Sequence, residues 1–159
     1  MDFGRLHVVV LHFPIALIVA MAVAGFLGLF GRRAFFQNAS LYCLIGALLT
    51  APAAVATGWD LLGDMRPSGE MPSVWNMLRD MSPTRDLATI AAWHRALAVA
   101  ALVLVIAVAA VRLARAKSAA KWLAAAYVIL VLATLAAVTA TAHLGGMLAF
   151  GKDFLSGGS

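Results

Sequence analysis

At 159 residues the chain has room for one domain, and 64% of it is hydrophobic against 12% charged, where soluble domains run to roughly 25% charged. That balance excludes a water-soluble surface for a chain of this size. The net charge of +5 does not mark a nucleic-acid binder either, because the basic residues sit beside apolar runs and form no aromatic-interleaved polar patch.

The first apolar run covers residues 6–30 and ends at Gly31 and the pair Arg32 and Arg33. With no basic leader before it and no A-x-A-like site after it, it reads as a permanent helix and not a cleavable signal. The second run covers 40–58, with Asn38 and Ser40 as candidate N-caps. An outer loop follows over 59–82. Gly63, Pro67, Gly69 and Pro72 make its first half irregular. In its second half Ser73 caps a short amphipathic helix with Val74, Met77, Leu78 and Met81 at helical spacing. The third run, 83–112, opens with Ser82 as cap and Pro83 at the first helical position. The fourth, 118–150, is longer than a crossing needs and is expected to tilt or protrude.

Each run is long enough to cross about 30 Å of hydrocarbon. The fold class expected is therefore all-α: an integral membrane antiparallel four-helix bundle, one domain over 1–159. Pro14 and Pro52 fall inside apolar runs, where each removes a backbone donor and kinks its helix; alternatively Pro14 starts a helix and leaves His12 outside it. The single cysteine, Cys43, lies inside a span, which excludes an intrachain disulfide and a cysteine-based zinc cage.

Charge sets the orientation. The linkers between helices one and two and between three and four carry Arg32, Arg33, Arg112, Arg115, Lys117 and Lys121 and no acid, whereas Asp2, Asp60, Asp64, Glu70, Asp80, Asp86 and Asp153 all lie on the other side. The positive-inside rule makes the basic linkers cytoplasmic and both termini periplasmic. Trp59 and Trp93 then mark the outer interface and Trp122 the inner one.

In that topology all four histidines gather at the outer end. Counted up from the cytoplasmic helix ends at 1.5 Å per residue, His94 lies about 26 Å up, His12 about 27 Å, His143 about 31 Å and His7 about 34 Å. Polar side chains in membrane helices are costly unless partnered, which makes them functional candidates. Three roles fit: ligation of haem iron, a bare metal such as copper or zinc, or structural hydrogen bonds at the interface. The matched depths of His12 and His94 suit two axial ligands on facing helices, with His7 and His143 as an upper pair. Arg95 is placed either to pair with a haem propionate or to anchor the helix at the interface. Copper is the alternative because Met65, Met71, Met77 and Met81 concentrate in the outer loop. Zinc hydrolysis is a weak fit, Asp60 being the one carboxylate at hand. Nucleophile-elbow, P-loop, dinucleotide and haem-attachment motifs are absent. Gly145 and Gly146, beside His143, are expected to permit close helix approach or to give a ring room beside the backbone.

Two segments carry a resemblance. Leu6-His7-Val8-Val9-Val10-Leu11-His12-Phe13-Pro14-Ile15-Ala16-Leu17 is similar to the opening LHP-x-x-x-HFPI-x-L of a bacterial membrane family, domain of unknown function 2231. Ala142-His143-Leu144-Gly145-Gly146-Met147-Leu148, with Phe150 to Leu155 after it, resembles the closing motif of that family. Thr57-Gly58-Trp59-Asp60 and His94-Arg95 resemble its middle. The chain departs from the pattern at Val8, where the family has proline. Ala149 and Phe150 likewise stand where cytochrome-linked relatives often have threonine and histidine. Some relatives join this unit to c-type cytochrome domains, which implies electron transfer at the periplasmic face. The resemblance carries His7, His12, His94 and His143 over as the family's histidines.

The resulting expectation is an inner-membrane, multi-pass protein of a bacterium. It would bind one or two b-type haems near its outer face through paired histidines, with Arg95 beside them. It would exchange electrons with a partner subunit or c-type cytochrome and with membrane quinone, as a carrier rather than a stand-alone enzyme. The alternatives are a non-catalytic accessory or assembly subunit of a larger membrane complex and a periplasm-facing copper protein.

Overall fold

The computed structural model describes residues 3–28, 33–64, 87–118 and 120–150. They form four long helices: α1 (Phe3–Leu27), α2 (Arg33–Asp64), α3 (Leu87–Lys117) and α4 (Lys121–Phe150). The expected amphipathic helix of the outer loop, its methionines and the Ser82-Pro83 start of the third span lie outside the described residues. So does the side chain of Asp60.

Each helix carries a stretch long and apolar enough to cross a membrane. The surface agrees with that environment. Leu49, Tyr42 and Leu113 are 75%, 72% and 66% exposed, and a water-soluble bundle would bury such side chains. The all-α membrane bundle expected from the sequence is what the chain forms.

Helix ends differ from expectation where local chemistry supplies no stop. Asn38 and Ser40 do not cap α2, which begins seven residues before Ser40, at Arg33. The stretch Arg33–Ala39 contains neither glycine nor proline, so the turn runs on. Ser40 is instead fully buried in the bundle. Likewise α3 continues past Arg112 to Lys117 through Leu113, Ala114, Arg115 and Ala116, mostly strong helix formers. Pro14 and Pro52 both sit within helices, so His12 is helical. Thr50 and Thr57, flanking Pro52, each return their hydroxyl hydrogen to a carbonyl one turn back, Thr50 to Gly46 at 2.8 Å and Thr57 to Ala53 at 2.9 Å.

The four helices pack as two hairpins. Contacts are dense within α1–α2 and within α3–α4, sparser between α2 and α3, and sparser still between α1 and α4. Small residues make the close approach possible: Ala47, Ala51, Ala54, Ala101 and Ala137 are buried, and Gly46 lies against Leu17. The core centres on Met21, Leu44, Val105 and Val108. A polar knot closes the end beyond that core. Arg112 of α3 donates to the Gln37 carbonyl of α2, and its Nη1 lies 3.5 Å from Ser40 Oγ and 3.4 Å from Tyr127 Oη of α4. Ser40 and Tyr127 are themselves 3.4 Å apart. This is the arginine end; the opposite end carries the histidines.

Candidate functional site

The antiparallel order brings the start of α1 and α3 and the finish of α2 and α4 together at the histidine end. There the hairpins part around a cavity of about 710 Å³, lined by all four helices. On α1 the lining runs from His7 to Ile18, a rise of about 16 Å along the axis. Its walls are alanine, leucine, isoleucine and valine, with polar groups only near the top.

His7 and His94 come from different hairpins and also line a narrower cavity together, with Gly58, Trp59 and Arg95. Each imidazole is held by the helix paired with its own. His94 Nδ1–H donates to the Thr141 carbonyl at 2.9 Å. A carbonyl can only accept, so the proton is on Nδ1 and Nε2 keeps its lone pair in the neutral ring. His7 Nδ1 lies 3.1 Å from Thr57 Oγ1. The one hydroxyl hydrogen of Thr57 is committed to the carbonyls of Ala53 and Ala54, at 2.9 and 3.2 Å. Thr57 therefore accepts from His7 Nδ1–H, and His7 Nε2 carries a lone pair as well.

A glycine sits under each ring. A Cβ added to Gly58 would meet His7 Cε1 at 2.6 Å, and one added to Gly145 would meet His94 Cε1 at 3.1 Å. Gly145 is one turn after Thr141, so the missing side chain opens a lane through which His94 reaches a carbonyl already inside helix α4. The expected role of the glycine pair, room for a ring beside the backbone, holds for Gly145. The same device thus occurs once per hairpin: a histidine in the first helix, a threonine and a glycine in the second.

The remaining predicted residues are distributed as follows. His12 is an exposed side chain that reaches the large cavity but not the narrow one. His143 is exposed and lines neither cavity. The pair sharing the narrow cavity is His7 with His94, where equal depth along the helices suggests His12 with His94. Arg95 stacks over the Trp59 ring, its Cζ 5.1 Å from the centroid, a cation–π contact that holds the guanidinium beside His94. Among the described residues, no three histidine, cysteine or carboxylate side chains converge as a metal cluster would need.

Sequence reasoning did not single out Thr57, Gly58 and Thr141 as functional. A signal existed: Thr-Gly late in α2 lies opposite the first histidine once helices one and two are folded as a hairpin of equal lengths.

Comparison with known proteins adds kinship. A family model described as predicted membrane protein, DUF2231, matches residues 5–154, and the chain belongs to that family. No curated protein and no solved structure matches it.

Proposed function

We propose that this chain is a membrane electron carrier that would hold b-type haem between its two hairpins, with His7 and His94 as the residues that bind its iron. The observation that carries this reading is the pair of anchored imidazoles. Each has Nδ1–H bonded to the neighbouring helix and an Nε2 lone pair left for a ligand. Metal-ligating histidines almost always have their other ring nitrogen fixed in this way. The donor set fits the group: neutral imidazole nitrogen is a haem-iron donor, and the site offers two. A cavity of about 710 Å³ lies within the range of about 300–1,000 Å³ typical of ligand sites, with the expected apolar walls and few polar groups.

Haem, when bound, supplies one-electron chemistry. The chain's own residues do the rest. Thr57 and the Thr141 carbonyl orient the rings, Gly58 and Gly145 admit them, and Arg95 brings a positive charge for a propionate. The apolar walls exclude water and lower the local dielectric. By the positive-inside rule the arginine end faces the cytoplasm, which puts the histidine end and both termini at the periplasmic face of the inner membrane. All four histidines lie at that end. The protein therefore exchanges electrons on one side, with a c-type cytochrome or partner subunit and with quinone, rather than carrying them across the bilayer alone.

The test is the absorption spectrum of protein purified in mild detergent, together with elemental analysis. A Soret band that shifts on reduction, with iron in proportion, is expected. Absence of both overturns the haem reading. Copper without porphyrin selects the copper protein instead, and cofactor-free co-purification with an enzyme in fixed ratio selects an accessory subunit.

A further inference from the structure

The arginine end carries a charge arrangement that the electron-transfer reading does not use. Arg33, Arg112, Arg115, Lys117 and Lys121 gather there, while no aspartate or glutamate lies between residues 3 and 59 or between 87 and 152. Arg112 and Arg115, three residues apart on one face of α3, are both fixed on the same side chain. Tyr127 takes Arg112 Nη1 at its hydroxyl, 3.4 Å away, and Arg115 over its ring, 5.0 Å from Cζ to the centroid. Two like charges are thus held side by side, and neither α3 nor α4 contains a carboxylate to offset them. Arg112 spends two Nη1 contacts and one Nη2 bond on the knot, which leaves donors of its five N–H groups unspent.

A second observation points the same way. Helices α2 and α4 both begin at this end, with Arg33 and Lys121 at their first positions and no acid in either first turn. A helix N-terminus carries partial positive charge and favours an anion, so a cation there is unfavourable on its own. Arg115 and Lys117 do complement the C-terminus of α3, whereas Arg33 and Lys121 stand at the positive, N-terminal pole of their own helices. An anion at this end offsets both the paired guanidiniums and the mismatched helix starts.

We propose that the arginine end binds the headgroup phosphate of an anionic phospholipid, held by Arg112 and Arg115 with Lys121 adding charge at the rim. The position selects the source. The apolar side chains around this end, Leu113 and Trp122 among them, are exposed, so acyl chains lie against the same helices that present the cations.

The experiment is lipid retention by the full chain in native mass spectrometry, after reconstitution in mixed phosphatidylglycerol and phosphatidylcholine. Wild type is expected to retain phosphatidylglycerol selectively. Arg115→Gln and Lys121→Gln are each expected to lower that selectivity about fivefold, the factor for one surface cation on an anionic membrane, while Arg115→Lys keeps most of it. Neither glutamine variant touches the Arg112–Ser40–Gln37 contacts that join the hairpins, and Lys121→Gln, at an exposed helix start, decides the matter where Arg115→Gln fails to fold. Equal retention of both lipids by wild type, or undiminished selectivity in both variants, overturns the proposal. Inorganic phosphate that displaces the lipid at millimolar concentration also overturns it, by assigning the site to a free anion. The readout is independent of any Soret band, so the lipid site and the haem site fail separately.

Discussion

The two ends of this bundle use the same four helices in opposite ways. At the arginine end the helices are drawn together: a guanidinium, a phenol, a buried serine and a backbone carbonyl from three helices meet above a core of Met21, Leu44, Val105 and Val108. At the histidine end the hydrogen bonds of His7 to Thr57 and of His94 to Thr141 stay inside each hairpin, a cation–π contact of Arg95 with Trp59 reaches across, and the hairpins part around a cavity. In lipid, apolar packing alone gives helices little reason to associate, and polar contacts and close fit decide which pairs hold. Where a hydrogen-bonded knot crosses between hairpins the bundle is closed; where the histidine hydrogen bonds stay within a hairpin it has room for a ligand. The difference separates a fastened end from an open end in one small chain.

Substitutions can break that contrast, and the largest effect belongs to the histidines proposed to hold haem. His94→Ala is expected to abolish the Soret band of the isolated protein without unfolding it; a retained band of full intensity would remove His94 from the site. Gly58→Ala comes next. Its Cβ would fall 2.6 Å from His7 Cε1, so the ring must leave its bond to Thr57, and haem content should drop to a small fraction while helicity by circular dichroism is unchanged. Thr57→Val keeps shape but removes the acceptor that orients His7, and a loss of about 10–100-fold in ligand affinity is expected, read by haem titration. At the other end, Arg112→Met should leave the spectrum intact and destabilise the fold by about 1–2 kcal/mol, the scale of interhelical hydrogen bonds in membranes, read as a lower melting temperature. The smallest change is His143→Ala. Its side chain lines neither cavity, so the spectrum should match wild type, and a lost Soret band there would reassign the proposed ligand pair.

Much of this was legible along the chain because it depends on one-dimensional quantities. Four apolar runs, basic linkers and the accumulation of His7, His12, His94 and His143 toward one end are statements about length and order, and the bilayer turns length into depth. Helix ends were less legible, since nothing between Arg33 and Ser40 marks a start. The roles of individual polar residues were least legible of all. Ser40 looks like a cap and Arg112 like a topology signal until the neighbouring helices supply Tyr127 and the Gln37 carbonyl.

The amino-acid order alone determined that this protein is a membrane bundle of four antiparallel helices with its imidazoles in one half, because hydropathy, rise per residue and charge bias are additive along a chain. Only the tertiary structure decided which imidazoles share the narrow cavity. That choice depends on rotation about the helix axes, where one residue turns a side chain by about 100°, and on whether a glycine lies opposite. It selected His7 and His94 to share one cavity and turned His143 away from it.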